Sequence, residues 1–377
     1  MNLRRTRAVA RKESLHILRD PRSLAMALAL PLLMILLFGY ALTLDVDRIP
    51  TLVHDADQSP QSRELIDRFR GSRYFDVLGH GSGYPAIARG IDRDRVLLGL
   101  VIERGFSRDL LAGREAQVQM ILDGSDSNTA SIALGYVNAL VQAYALELRA
   151  GLHIRATGGA FSPPIEPRLR VWYNSELKSK NYVVPGLIAL ILMIIAALLT
   201  SLTIAREWEM GTMEQLLSTP LRPAEIVLGK MSAYFTLGVI DTLLAIIVGV
   251  AIFHVPLRGS LVFLALTSFS FLFGALCWGI LLSAATRSQL LAYQMGVLSS
   301  FLPAFLLSGF VFAIENMPLV IQIVTYVFPT RYFVSILKGI FLKGIGFEIL
   351  WLEVVLLVAY AGLVFLAATR RLRQTIA

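Results

Sequence analysis

The residues of this chain best placed to do chemistry crowd into one stretch, Ala205 to Lys230, "AREWEMGTMEQLLSTPLRPAEIVLGK". Glu207, Glu209, Glu214 and Glu225 are set among Arg206, Arg222 and Lys230, punctuated by Gly211, Pro220 and Pro223. Two of the most apolar runs in the sequence flank it. A solvated connector whose charges neutralise one another is the plain reading. Against it, "EWEMGTMEQLLS" spaces Trp208, Met213, Leu216 and Leu217 as the apolar set of a short amphipathic helix. Thr219-Pro220 ends that helix and Pro223 starts the next. A rigid helix carrying both charge signs suits docking into a groove on a soluble partner.

Other candidate chemistry is weaker. "VLGKMS" holds a Gly-Lys pair, but Ala224 stands where the first Gly of G-x-x-x-x-G-K-[ST] belongs, and Met231 replaces the hydroxyl. No phosphate cradle forms there. "GHGSGYP", Gly79 to Pro85, hints at a nucleophile elbow, yet Ser82 lacks a Gly two residues before it and the required strand-to-helix turn. A flexible loop is the expectation. Histidines 16, 54, 80, 153 and 254 show no ligand spacing. Asp55 and Asp57 read as an Asx-type turn ending a strand rather than a cation site. Asp241 is different, because it falls near the middle of an apolar run, where a charge costs at least about 2.5–3.5 kcal/mol. It either makes a substrate or proton contact, or makes a helix-packing hydrogen bond beside Thr242. Glu353 lies about two turns inside the last apolar run, within reach of the interface.

These residues must be positioned by a membrane protein. Of 377 residues, 55% are hydrophobic and 16% charged, whereas soluble domains carry roughly 25% charge. The net charge of +8 gathers at the two termini and beside apolar runs, a topology pattern rather than a nucleic-acid-binding face. The lone Cys277, inside an apolar run, excludes an intramolecular disulfide and a cysteine metal cluster.

Runs long enough to span a bilayer lie at 23–44, 182–204, 226–253, 260–285, 289–313 and 347–369. The first lacks an A-x-A cleavage pattern and reads as an uncleaved anchor. Pro329 and Arg331 split 314–346 into two pieces too short to cross, so a re-entrant external pair is expected. Six spans keep Arg4, Arg5, Arg7 and Arg11 on the same side as Arg370, Arg371 and Arg373, as the positive-inside rule demands. The expected fold class is therefore an α-helical integral membrane protein with six transmembrane helices and a re-entrant helix pair, plus an inserted α/β domain. The organisation runs from an amphipathic connecting helix, 1–22, and a first span, 23–44, to an extracytoplasmic α/β domain, 45–180. A membrane domain, 181–377, follows, with a charged loop at 205–225 and a hairpin at 314–346. Within the insertion, "TLVHDAD", "VLLGLVIE" and "AQVQMILDG" read as strands, and "SPQSRELIDRFRGSRYF" and "NTASIALGYVNALVQAYALELRA" as helices. "GGAFSPPIEP" reads as a linker.

The segment "REWEMGTMEQLLSTP", followed by Glu225 and "GK", resembles the coupling loop of type-2 ABC exporter permeases. "KESLHILRDPRS" resembles that family's approach to the first span, and "WYNSELKSKNYVVPG" its entry to the second. "LLSGFVFAIENMP" with "FPTRYFVSILKGIFLKG" resembles its external hairpin. Ser175 departs from the family's usual Pro. Four motifs in order cover nearly the whole chain, and the multidrug-type subset with a large periplasmic insertion is the nearest. The resemblance implies a permease subunit of the bacterial inner membrane, both termini cytoplasmic, exporting small amphipathic or drug-like compounds. It implies that ATP and Mg are bound by a separate ABC ATPase subunit and that this chain, not itself an enzyme, binds no cofactor or metal. Arg206, Glu207, Gly211, Thr212, Glu214 and Pro220 would receive the ATPase. The permease would pair with itself or a sister permease, and a periplasmic adaptor would meet the insertion. The rivals are an exporter of lipid or lipid-linked glycan and a membrane sensor reading an external signal.

Overall fold

A computed structural model describes residues 2–42, 47–157, 172–174 and 178–376. The chain divides into two compact units, Met1–Thr43 with Val171–Ala377, and Leu44–Arg170. The first begins with α1 (Leu3–Arg19), whose start is capped by the Asn2 side chain, and α2 (Pro21–Ala41). Asp20 separates the two, so the expected connecting helix closes just before Pro21. α2 takes the place of the first expected span, yet its described apolar stretch, Ala27–Ala41, is shorter than a full crossing. Pro31 lies inside it.

The second unit alternates strands and helices: β1 (Ile49–Asp55), α3 (Pro60–Gly71), β2 (Phe75–His80), α4 (Tyr84–Ile91), β3 (Leu98–Ile102), α5 (Phe106–Leu111), β4 (Val118–Leu122) and α6 (Ser127–Thr157). The sheet order is β2-β1-β3-β4, with β1 parallel to β2 and β3, and β4 antiparallel to β3. β3 is buried along its whole length, as a central strand covered on both faces must be. Phe69 of α3 and Val137 and Tyr144 of α6 pack on Val53, Leu98 and Leu100. α6 contains an apolar window, Thr129–Leu148, long enough to cross a membrane by length and composition. It is the amphipathic core helix of this unit. β2 is absent from the sequence reading, where "RYF" was assigned to the tail of α3. Ser82 does sit between a strand and a helix, β2 and α4, contrary to expectation, although among the described contacts no base meets its hydroxyl.

The first unit resumes with α7 (Ser179–Glu209), α8 (Thr212–Leu217), α9 (Pro223–Ala251), α10 (Leu261–Thr286) and α11 (Gln289–Leu306). Then come α12 (Leu319–Thr325), α13 (Pro329–Lys338) and α14 (Phe347–Ile376). α7, α9, α10, α11 and α14 are long and apolar enough to cross a bilayer. α7 is the axis: most of its side chains are buried from Val183 to Ala205, and α2, α9, α10, α11 and α13 pack around it. α11 ends at Leu306 rather than 313, because the chain turns at Gly309, whose φ of +75° is left-handed. α12 and α13 are bent by 85° across a short break. They are not equivalent. α13 buries Tyr332, Phe333 and Leu337 in the core, Phe333 stacking on Phe271 at 4.1 Å, whereas α12 is largely exposed. The linker at 158–167 and Ser175 lie outside the described residues.

Candidate functional site

The charged segment is one junction of three helices rather than a single amphipathic helix. Arg206, Glu207 and Glu209 belong to the last turn of α7, which runs on past its apolar stretch. The chain reverses at Gly211, where φ is +70°. A Cβ there would meet nothing within 4 Å, so it is backbone conformation, not space, that calls for glycine. α8 then presents Glu214 and Gln215 to solvent while Met213, 0% exposed, anchors its underside. Thr212 is half-buried, its hydroxyl 3.4 Å from the Glu207 carbonyl. Pro220 is exposed and its carbonyl accepts from Arg5 Nη1 at 2.5 Å. The Leu217 side chain lies outside the described residues. Pro223 supplies the first turn of α9 without a free N–H, as its position predicts.

Beneath this junction lies a buried ionic cluster. Lys230, 1% exposed, places Nζ 2.7 Å from Glu13 Oε1 and 2.9 Å from Glu207 Oε1. Lys12 Nζ donates to the same Glu207 oxygen at 2.6 Å. Glu207 is therefore 6% exposed and faces the chain's own N-terminal helix rather than an outside partner. Burial disfavours the Lys12 ammonium, but the hydrogen bond and charge of Glu207, with Glu13 behind it, raise its pKa above the ordinary lysine value. α1 comes this close because residue 229 is glycine. A Cβ there would stand 2.6 Å from Val9 Cβ and 3.0 Å from the Thr6 carbonyl oxygen. Glu225 completes the strap, accepting the Asn2 N–H at 2.7 Å and the Arg222 N–H at 3.1 Å. Arg206 is half-buried beside it, Nη1 3.1 Å from His16 Nε2. Glu209 binds the start of α11, accepting the Gln289 N–H at 2.7 Å.

Of the six residues expected to receive a partner, Glu214, Gly211 and Pro220 are exposed, Arg206 and Thr212 are half-buried, and Glu207 is turned inward; the partners that hold Glu207 were not expected. Lys12, Glu13, Gly229 and Lys230 are all in the quoted motifs, but nothing in the linear order says that they meet. One signal was available. Glu13 is the only acid in α1, which has many cations, and it falls on the stripe of Val9 and Ile17.

Asp241 sits further along α9, 1% exposed, and neither carboxylate oxygen has a hydrogen-bond partner among the described residues. Thr242, the neighbour that made a packing bond plausible, gives its hydroxyl to the Gly238 carbonyl at 2.6 Å. Glu353 is half-buried on α14. In the α/β unit, Asp55 Oδ1 accepts the N–H groups of Asp57 and Gln58 at 3.1 and 2.9 Å, the expected Asx geometry. Asp57 accepts from the N–H groups of Gly105 and Ser107 at 2.8 and 3.0 Å, capping α5. No grouping suited to a metal ion occurs among the described residues.

Comparison with known proteins places this arrangement. Residues 21–370 match the family model described as ABC-2 family transporter protein. The chain is similar to the probable multidrug ABC transporter permease YbhS of Escherichia coli K12, 37% identical over 99% of this chain and 98% of that one. It is 35% identical to the probable multidrug ABC transporter permease YbhR of the same organism, over 90% of each. The inner membrane transport permease YhhJ of that strain is 29% identical over 87% of this chain and 86% of its own length.

Proposed function

The chain belongs to the ABC-2 family of transporter proteins, and from that premise we propose that it is the permease subunit of an ATP-driven exporter of small amphipathic or drug-like compounds. Its α7–α8–α9 junction is the docking surface for a separate ABC ATPase subunit, which holds ATP and Mg. The observation that carries this reading is the junction's two-sided construction. Glu214 and Gln215 face outward on a helix of six residues and Pro220 is exposed just after it, while Met213 anchors that helix in the core and Thr212 reaches the Glu207 carbonyl. A push on α8 passes directly into α7 and α9, two long helices, and through Lys230 and Glu207 into α1. Within this reading Gly211, Thr212, Glu214 and Pro220 form the docking surface, Arg206 borders it, and Glu207 positions it from beneath. The permease works as a dimer, with itself or a sister chain. The bent α12–α13 pair is re-entrant, and the α/β unit lies on the periplasmic side, where an adaptor can meet it.

Asp241 supports a second element of the proposal. A buried carboxyl with no hydrogen-bond partner among the described residues is expensive in a membrane, and in this reading it meets a substrate or a proton on the translocation path.

The test is Glu214→Arg. Reversing a docking charge at an interface costs several kcal/mol, so the variant should fold and insert normally yet lose co-purification with its ATPase. Full retention of transport-coupled ATP hydrolysis by this variant would make the junction a plain connector.

A further inference from the structure

The ionic cluster borders a half-open cavity of about 810 Å³ in the membrane unit, lined by α1, α2, α7, α8 and α9 with Tyr293 of α11. Its lining changes character along its length. On α7 the lining runs from Leu198 and Leu202 to Arg206, and on α9 from Leu237 through Tyr234 to Lys230. At 1.5 Å per residue, the step from Leu198 to Arg206 covers about 12 Å. One end is therefore apolar, and the end beside α8 is charged. At that end Lys12 and Lys230 are matched by Glu13 and Glu207. Arg5 and Arg206 also line it, with Asp20 the one further acid among the described lining residues, so that lining keeps an excess of positive charge. Arg206 uses one guanidinium nitrogen on His16, and Arg5 one on the Pro220 carbonyl. Both forks retain donors.

We propose that this cavity holds an anionic phospholipid of the leaflet on the α8 side, its phosphate on Arg206 and Arg5 and the upper part of its acyl chains on Leu198, Leu202 and Leu237. A guanidinium fork matches phosphate geometry. A free anion would leave the leucine end unexplained, and a neutral amphipath would leave the guanidinium groups unexplained. The polarity gradient of the lining is that of a lipid entering a bilayer leaflet. The volume, within the range of ligand cavities, accommodates a headgroup and chain tops while the tails continue outside.

The test is lipid retention by the full chain, which does not depend on whether an ATPase docks. The protein is purified from nanodiscs of phosphatidylglycerol or of phosphatidylcholine, and bound lipid is counted by native mass spectrometry. Phosphatidylglycerol should be retained and phosphatidylcholine should not. Arg206→Gln, which removes charge-assisted hydrogen bonds worth roughly 1.5–3 kcal/mol, should cut retention about tenfold or more. Leu202→Trp, which fills the apolar end without touching a charge, should also cut it, in samples whose melting temperature matches the wild type. Arg7→Gln with Arg11→Gln, both exposed on the outer side of α1, should leave it unchanged. Equal retention of the two lipids overturns the proposal, as does unchanged retention in Arg206→Gln or in correctly folded Leu202→Trp. A matching loss in the Arg7/Arg11 variant would reduce the effect to loose surface attraction. Displacement of the lipid by inorganic phosphate alone would make this a simple anion site, and would equally overturn it.

Discussion

Lys230 and Asp241 are both buried to the same degree on one helix, about three turns and ~16 Å apart, and their surroundings are opposite. Lys230 bonds to two carboxylates from two other helices. Asp241 bonds to nothing among the described residues. Burying a charge is costly in either place, but at Lys230 the cost is offset by geometry inside the chain. At Asp241 it is not. The first charge reads as a strap that holds α1, α7 and α9 in one arrangement; the second reads as a group kept for something that arrives.

That contrast predicts the largest effect at Lys230. Lys230→Met leaves Glu13 buried with only Lys12 nearby, at 3.8 Å, and should destabilise the membrane unit by about 3–5 kcal/mol. Thermal melting in detergent measures it, and Lys230→Met combined with Glu13→Gln should recover much of the loss. A single variant that melts within about 1 kcal/mol of the wild type would show that the cluster straps nothing.

Asp241 should respond in the reverse sense. Asp241→Leu removes a carboxyl that lacks a partner, so stability should hold or rise by up to about 3 kcal/mol while export falls. Asp241→Asn should also keep the fold, and export should lose its pH dependence because the ionisable group is gone. If Leu instead lowers the melting point as much as Lys230→Met does, Asp241 has a structural partner on a second copy, and the contrast between the two sites collapses.

A smaller effect belongs to the turn that aims α8. Gly211 has open space around it and a left-handed backbone. Gly211→Ala should therefore cost roughly 1–2 kcal/mol from conformation alone, and Gly211→Asn less. Equal stability of the Ala and Gly forms would mean that α8 reorients freely, which is incompatible with a rigid force-bearing junction.

Sequence reading found this junction because glycine, proline and alternating charge are local signals. It found the long apolar helices for the same reason, since hydropathy over a window needs no tertiary information. What it missed is non-local. Glu207 and Glu214 look alike in the sequence, and only the packing of α1 on α9 turns one inward and leaves the other outside. β2 escaped because its burial pattern shows a single buried residue, Phe75, and so gives little alternation to detect. Thr129–Leu148 satisfies the length and apolarity of a span and yet serves a soluble-type core. Its interleaved polar residues, Asn138, Gln142 and Glu147, distinguish it from a span; the helical spacing of its apolar residues identifies the helix but not this distinction.

A third group, the Asp57 carboxylate, sharpens the comparison at its mildest end. Asp57 has what Asp241 lacks, two backbone N–H groups aimed at its oxygens from the first turn of α5. Burial is the largest single influence on Asp57 and works against its charged form, but several hydrogen bonds act together in the other direction. Hydrogen bonds from Ser59, Ser107 and Gly105 outweigh it and bring the pKa from 3.8 down to about 2. A depressed folded-state pKa gives stability that is complete above the unfolded value near 4 and drains away as the pH falls through 2. The group is half-exposed, so solvent screening holds the contribution to that of an ordinary helix cap, about 1 kcal/mol or less. Hydrogen exchange at the amides of Gly105–Leu111 in the intact chain should show protection, corrected for intrinsic rates, that is constant from pH 7 to 5 and weakens between 4 and 2. Asp57→Asn keeps one acceptor oxygen and removes the titration, so its protection should be lower at neutral pH and flat on acidification. If the wild type is flat as well, the two N–H bonds do not depend on the charge of Asp57. Satisfaction by backbone donors would then not be what separates the inexpensive carboxylate at the end of β1 from the costly one in α9.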